Sequence, residues 1–243
     1  MIVNFNYSYF ALVCPFIIIW IIFFIFSKKT RTEQLIMSFL FFGIGIISEN
    51  LFYFHDYWSP GSILSFNIGS WHILLEDILF SFAIAGIGSV AYEIFLNKRL
   101  ESPRKINLTN FIFKLLPIIV LGFFSFYLFL FLGVNSIFAT SFGFIILSIF
   151  IIRKRRDLLF CSLFSGLSVM IIMFFSYFTI HFLITNAEEL IEKGWMLHNS
   201  LWGMRFLGIP ITEMIWGFTA GAFIGLLYKF ITNIKFSKPS NKF

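Results

Sequence analysis

The chain has 243 residues, of which 59% are hydrophobic, 21% aromatic and only 12% charged. A soluble domain carries about 25% charged residues, and the polar residues of this chain are too few to cover so many apolar ones in water. The net charge of +6 is divided among short basic clusters between apolar runs, so it does not form the basic patch of a nucleic-acid-binding protein. The composition therefore predicts an integral membrane protein whose surroundings are the lipid bilayer.

Seven stretches are long and apolar enough to cross a bilayer as helices, which takes about 20 residues each. They are residues 8–27, 34–54, 71–96, 111–133, 136–152, 158–185 and 209–233. All of the 18 basic residues except Lys193 and Arg205 fall on one side of these spans. By the positive-inside rule we predict an all-α protein of the cell membrane, with its amino terminus outside and its carboxyl terminus in the cytoplasm.

The predicted outer connections differ in length. Residues 55–70 and 186–208 form long loops, whereas residues 133–135 form a tight turn. The long loops contain aromatic residues of the kind that anchor a protein at the membrane interface, namely Tyr57, Trp58, Trp71, Trp195 and Trp202.

An internal repeat relates the third span to the seventh. A shift of 136 residues places Asp77 over Glu213, and with a gap of one residue Trp58 pairs with Trp195. Both spans also contain a stripe of small residues at spacings of four, Ser81, Ala85 and Ser89 in one and Gly217, Gly221 and Gly225 in the other. We predict two parallel three-helix repeats, residues 1–100 and 134–235, joined by a connector segment and helix at 101–133 and followed by a basic tail at 236–243.

Three carboxylic residues begin the repeated spans: Glu76, Asp77 and Glu213. A carboxyl group at hydrocarbon depth costs at least about 2.5 kcal/mol and marks a functional site. The stripes of small residues allow close helix packing, so we expect these acids to point into the bundle. The alternative interpretation makes them solvated acids in the headgroup layer, favoured by the helix dipole.

Four other ionisable residues lie near the ends of spans. Glu49 and His181 are at a depth similar to that of the three acids and could complete a polar cluster, although a lone His at a helix end is also typical of the interface. Glu93 and Lys229 are expected to extend to the cytoplasmic surface. Such a position for Lys229 argues against a retinal protein, whose Schiff-base lysine lies near the middle of the membrane.

Three segments resemble the lycopene cyclase domain in its fused form: Trp58-Ser-Pro-Gly-Ser-Ile-Leu, Leu74-Leu-Glu-Asp-Ile-Leu-Phe and Leu207-Gly-Ile-Pro-Ile-Thr-Glu-Met-Ile-Trp. That family has Pro-x-Glu-Glu or Pro-x-Glu-Asp in each half, followed by an aromatic-rich helix. Here Leu74 stands where the first half of the family has Pro, and Thr212 replaces the first acid of the second half.

The resemblance implies a carotenoid cyclase of isomerase type, which closes a ring at a linear carotenoid end group without net redox change. The candidate catalytic residues are Glu76, Asp77, Glu213 and Glu49. The candidate substrate-binding residues are Trp58, Trp71, Phe80, Trp216 and His181. We expect no metal, because Cys14 and Cys161 lie far apart in apolar runs, and no cofactor, because no GxGxxG sequence follows a predicted strand.

Two alternatives remain open at this stage. The chain could be a diverged family member that acts on, or only binds, another terpenoid. Parallel repeats with intramembrane carboxyl groups also suit a small proton-coupled transporter, although transport favours more broken helices.

Overall fold

A computed structural model describes residues 2–97, 108–197 and 203–236. The described chain forms the helices α1 Ser8–Phe26, α2 Arg31–Ser48, α3 Phe54–Asp56, α4 Leu75–Phe95, α5 Leu108–Phe131, α6 Ser136–Lys154, α7 Leu159–Leu183, α8 Ala187–Gly194 and α9 Ile211–Thr232. A π-helical segment, Glu49–Tyr53, joins α2 to α3. Within these residues seven helical segments are long and apolar enough to cross a membrane, which confirms the predicted all-α membrane fold.

The bundle has two chemically different ends. At the end where α1, α4, α6 and α9 begin, the buried carboxyl groups of Asp77 and Glu213 lie in the first helical turns. At the opposite end, α2, α5 and α7 begin, and the Lys114 side chain donates to the backbone of α9 at Ile231. We call these the acidic end and the basic end. The predicted tight turn falls at the acidic end, where Gly133 has a φ of 77° that favours glycine.

Two short hairpins at the acidic end were not predicted. The strands β1 Ser65–Ile68 and β2 Trp71–Leu74 pair in antiparallel fashion, as do β3 Arg205–Phe206 and β4 Ile209–Pro210. The third and seventh spans therefore begin later than predicted, because their first residues satisfy their backbone polar groups within a hairpin. Each hairpin leads directly into an acid-bearing helix, α4 or α9.

The two long loops are packed into the protein. Trp58 and Trp195 form a β-bridge, and the side chains of Tyr57 and Trp195 are 3% and 4% exposed. The prediction that these two residues anchor the protein at the membrane interface is therefore wrong, because the loops bury them against each other. Trp202, the basic residues at 98–105 between the third and fourth spans and the tail residues 237–243 lie outside the described residues.

Helix α9 packs most extensively against α7, through its glycine stripe. A Cβ atom on Gly221 would lie 2.7 Å from the Cβ of Val169, and one on Gly225 would lie 2.5 Å from the Cβ of Ser165. Only a residue without a side chain allows the helices to approach this closely. The expectation that the glycine stripe faces other protein is confirmed.

Lys229 is fully buried at the basic end. Its Nζ atom donates to Glu33 Oε1 at 2.7 Å and to the Ser89 carbonyl at 2.6 Å, and it lies 2.8 Å from Glu93 Oε1. The prediction that Lys229 and Glu93 extend to the surface is wrong, since both are enclosed by α2, α4 and α9 and satisfy each other's charge there. Because the Lys229 amine forms ion pairs with Glu33 and Glu93, it is not free to form a Schiff base with retinal. This reason against a retinal protein differs from the one drawn from the sequence.

Candidate active site at the acidic end

Three buried carboxyl groups meet at the acidic end of the bundle. Glu49 comes from the π-helical segment after α2, Asp77 from the first turn of α4 and Glu213 from the first turn of α9. Their exposed fractions are 8%, 4% and 7%, and the Glu49 carboxyl interacts electrostatically with both of the others. The acids are at helix starts, as the headgroup interpretation requires, but their side chains are enclosed by protein. The structure therefore brings together three of the four predicted acids.

An apolar cavity of about 390 Å³ extends from these acids into the bundle. Helices α2, α4, α5, α6 and α9 contribute its walls, and Asp77 and Glu49 are its acidic lining residues. A volume in this range is typical of a site for a small organic ligand, and such sites are mainly apolar with a few placed polar groups. The arrangement combines an apolar binding space with two carboxyl groups.

Asp77 has the environment of a reactive acid. It lines the cavity, and its Oδ1 atom is buried and has no hydrogen-bond partner among the described residues. The Tyr9 side chain of α1 interacts with the same carboxyl group. A buried carboxyl oxygen without a hydrogen-bond partner costs free energy, and a functional role is one explanation for such a cost.

Glu49 is held in a fixed orientation. The Trp58 indole Nε1 donates to Glu49 Oε2 at 2.8 Å, and the Trp58 ring packs edge-on against Tyr9 at 4.5 Å. The segment that contains Glu49 is π-helical, and such segments are frequent at functional sites because they redirect side chains within a helix. Trp58 thus orients a cavity acid, although its own side chain does not line the described part of the cavity.

Glu213 lies beside the large cavity but does not line it. The Tyr57 hydroxyl donates to Glu213 Oε1, and Tyr177 of α7 interacts with the same carboxyl. Glu213 and Trp58 line a separate pocket of about 60 Å³ at the acidic end. Burial, with the charge of Glu213 nearby, raises the pKa of Tyr57 well above its ordinary value, so this hydroxyl keeps its proton and remains a donor.

Glu76 points away from the cavity, although it is next to Asp77 in sequence. Its Oε2 atom accepts from the Ser62 hydroxyl at 2.6 Å, and its Oε1 atom accepts from the Ile63 backbone N–H at 2.8 Å. The side chain is completely buried by these contacts. Glu76 therefore fastens the loop before β1 to the start of α4.

Two of the predicted substrate-binding aromatics face the cavity together. Phe80 of α4 and Trp216 of α9 both line it, with ring centroids 5.9 Å apart and ring planes within 23° of parallel. The Trp216 indole donates to the Tyr53 hydroxyl at 3.3 Å, which in turn donates to Thr140 Oγ1 at 2.7 Å. This chain of hydrogen bonds fixes the orientation of the Trp216 ring in the cavity wall.

The remaining predicted residues are elsewhere. Trp71 is a half-buried residue of β2 that pairs with Ile68 across the hairpin. His181 is near the end of α7, where its Nε2 atom lies so close to the backbone of Gly208 that a Cβ there would clash with it. Neither residue lines the described part of the cavity.

Sequence reasoning missed the three tyrosines that surround the acids, Tyr9, Tyr57 and Tyr177. Tyr9 lies in α1, Tyr57 lies in the loop after α3, and Tyr177 lies in α7. No spacing within the sequence relates the three residues. Only the assembly of the bundle shows that their hydroxyl groups converge on Asp77 and Glu213. No group of three or more His, Cys, Asp or Glu among the described residues is arranged to hold a metal ion.

Comparison with known families confirms the resemblance seen in the sequence. A family model described as lycopene cyclase matches residues 135–231, a range that includes Glu213 and Trp216. Comparison with curated proteins and with solved structures gives no match. Residues 135–231 of the chain are therefore similar to the lycopene cyclase family.

Proposed function

We propose that this protein is a membrane carotenoid cyclase, which closes a ring at the end of a linear carotenoid by proton-initiated isomerisation. One observation supports this most directly: the buried carboxyl of Asp77, with an unused oxygen, lies at one end of an apolar cavity. A lipophilic polyene is compatible with such a cavity, and a carboxyl in its protonated form can deliver a proton there. The family that residues 135–231 match is described as lycopene cyclase, and lycopene is a substrate of this kind.

In the proposed reaction Asp77 is the proton donor. Its proton adds to the terminal carbon–carbon double bond of the substrate and leaves a carbocation on the more substituted carbon. A second double bond of the same end group then attacks this carbon, which forms the ring bond and moves the positive charge into the ring. Loss of a proton from the ring restores a double bond. One proton enters and one leaves, so the product is an isomer of the substrate and no oxidant or reductant is needed.

Glu49 is the proposed base and counter-charge for the cation. The Trp58 indole holds its carboxylate in place at the cavity, near Asp77. The faces of Phe80 and Trp216 provide further stabilisation through cation–π attraction, which is worth about 2 kcal/mol when the cation is desolvated. The apolar lining keeps out water that would otherwise capture the cation.

Glu213 has a supporting role in this proposal. It faces Tyr57 and Tyr177 instead of the cavity, and its link to the proposed reacting acids is the electrostatic interaction with Glu49.

We also propose that the acidic end faces outward and that the chain consists of two repeats, 1–100 and 134–235, with α5 in the connector. The two hairpins that precede α4 and α9 occupy corresponding positions in these repeats.

The experiment is expression of the chain in a bacterium engineered to accumulate lycopene, followed by chromatography of the pigments. The unchanged chain should give cyclised carotenoid. Asp77→Asn and Glu49→Gln should each lower the amount formed by about 10²-fold or more, the range of a lost general acid or base, while Glu213→Gln should lower it less. The matched control is Glu188→Gln, which alters an exposed acid of α8 at the same end.

Protein abundance in the membrane must be equal for all variants. Normal product from Asp77→Asn would remove Asp77 as donor. Unchanged lycopene with the folded unchanged chain would contradict cyclisation of lycopene, and another linear terpenoid would then be the substrate to examine.

A further inference from the structure

Some residues of the cavity wall are also part of the outer surface of the bundle. Ile44 and Ile47 of α2, together with Ile119 and Phe123 of α5, line the cavity and yet are 36–47% exposed. They lie within two helical segments that are long and apolar enough to cross a membrane. Residues with both properties are expected at the rim of an opening. We call these four residues the portal.

The helix packing explains why an opening exists here. Helix α2 packs along α4, whereas α5 packs along α6 and α9, and α2 and α5 have almost no contact with each other. The π-helical segment that follows α2 contacts α5 near the acidic end, where the Phe52 ring lies 4.3 Å from that of Phe126 and 5.7 Å from that of Tyr127. Aromatic rings therefore bridge the gap between α2 and α5 at the acidic end, and the two helices have little contact along the rest of their length.

The size of the cavity limits what can enter. About 390 Å³ is near the lower limit of sites that enclose a drug-sized ligand. Such a space can hold the end group of a long polyene, but the rest of the molecule must lie outside. Because the surface around the portal is apolar, the remaining chain can stay in the bilayer without meeting water.

We propose that the gap between α2 and α5 is a lateral portal, through which one end of a long linear terpenoid enters from the bilayer while the rest of its chain stays in the lipid. This inference rests on the proposed function, since it assigns the route to the same acids. It gives the connector helix α5 a role in substrate access. It also means that a substrate with two linear ends must leave and enter again before its second end reacts.

The test compares two neighbouring positions on α5. Ile119→Trp adds bulk at the portal, whereas Val120→Trp adds comparable bulk at a residue that is 60% exposed but does not line the cavity. Each purified protein is placed in lipid nanodiscs with lycopene. Bound polyene is measured from the absorption spectrum, and the initial rate of product formation is measured by chromatography. A third protein, Ile44→Trp, blocks the portal from the α2 side.

If the inference is right, Ile119→Trp and Ile44→Trp lower both binding and initial rate by about tenfold or more, because the added ring overpacks the entrance. Val120→Trp should behave like the unchanged chain. Normal conversion by both portal variants would overturn the portal and leave the cyclase function intact. If the unchanged chain binds lycopene and the portal variants do not, but no protein forms product, the result would support the portal and contradict the cyclase function. Absence of both binding and conversion in the unchanged chain would overturn both.

Discussion

Asp77 and its neighbour Glu76 show how one residue step on a helix separates two roles. Successive side chains of a helix point about 100° apart, so Asp77 reaches the cavity while Glu76 reaches the loop at Ser62 and Ile63. Thr212 is the counterpart of Glu76 under the 136-residue repeat, and Glu213 is the counterpart of Asp77. Thr212 thus replaces an acid at the position where Glu76 holds a loop in the first half of the chain. At the other position, which contributes to the buried acid cluster, both halves keep an acid, Asp77 and Glu213.

Glu76→Gln should therefore affect stability more than chemistry. One of the two carboxylate oxygens becomes an NH₂ group, which cannot accept from both the Ser62 hydroxyl and the Ile63 N–H. We expect a loss of about 1–3 kcal/mol in the free energy of unfolding and faster hydrogen exchange at the Ile63 amide. Thermal denaturation in detergent and hydrogen exchange measured by mass spectrometry test this.

Ser62→Ala is the companion variant, because it removes one of the same hydrogen bonds without changing the acid. Ser62→Ala should also lower the free energy of unfolding, but by less than Glu76→Gln does. An inactive Glu76→Gln protein with normal stability would instead identify Glu76 as a reacting group.

At the scale of elements, the contact between α7 and α9 depends on the absence of side chains. Gly221 faces Val169 and the Ser165 carbonyl of α7, and a Cβ there would lie 2.7 and 2.8 Å from them. Helix α9 also bears Glu213 and Trp216 on its first two turns. The same close packing therefore fixes the height and rotation of the helix that positions these side chains.

Gly221→Ala should separate α7 from α9 and destabilise the protein by about 1–3 kcal/mol, the usual cost of overpacking. The control is Gly43→Ala on α2, where no atom lies within 4 Å of the new Cβ. That change should be neutral or should stabilise the protein by up to about 1 kcal/mol, because Ala favours a helix more than Gly does. Midpoints of unfolding in a denaturing detergent measure both. Equal behaviour of the two variants would show that the close contact does not limit stability.

At the scale of the whole molecule, an ion-pair network holds the basic end together. Lys229 of α9 faces Glu33 of α2 and Glu93 of α4, and it also donates to the Ser89 carbonyl. The network thus joins the second proposed repeat to the first, at the end of the bundle opposite to the acidic cluster. A single amine is the counter-charge that Glu33 and Glu93 share in an apolar interior, so removal of the amine leaves both acids without a counter-charge.

Lys229→Met should destabilise the protein by about 3–5 kcal/mol, the cost of leaving buried charges unpaired. The triple variant Glu33→Gln, Glu93→Gln, Lys229→Met removes all three charges and should recover most of this loss. Thermal unfolding in detergent micelles compares them with the unchanged chain. A triple variant as unstable as Lys229→Met would mean that the network contributes through its hydrogen bonds and shape instead of its charge balance.

The membrane fold followed from the sequence because its determinants are local. A span needs only a run of apolar residues of sufficient length, and all seven predicted spans overlap the observed helices. The repeated acids and the glycine stripe were also visible as spacings, and close packing of that stripe was confirmed. The hairpins were missed because residues 71–74 and 209–210 are as apolar as the helices that follow them, so hydropathy does not mark the boundary.

The sequence by itself determined that this protein resides in lipid, how many helices cross it, which family it resembles and which acids are of interest. Tertiary structure alone decided that Asp77 and Glu49 share a cavity while Glu76 does not, that tyrosines from three separate segments surround the acids, and that Lys229 is buried. The physical reason is the range of the interactions. Apolar length and helical spacing act between neighbours in the chain, whereas the surroundings of a buried polar group come from helices far apart in sequence.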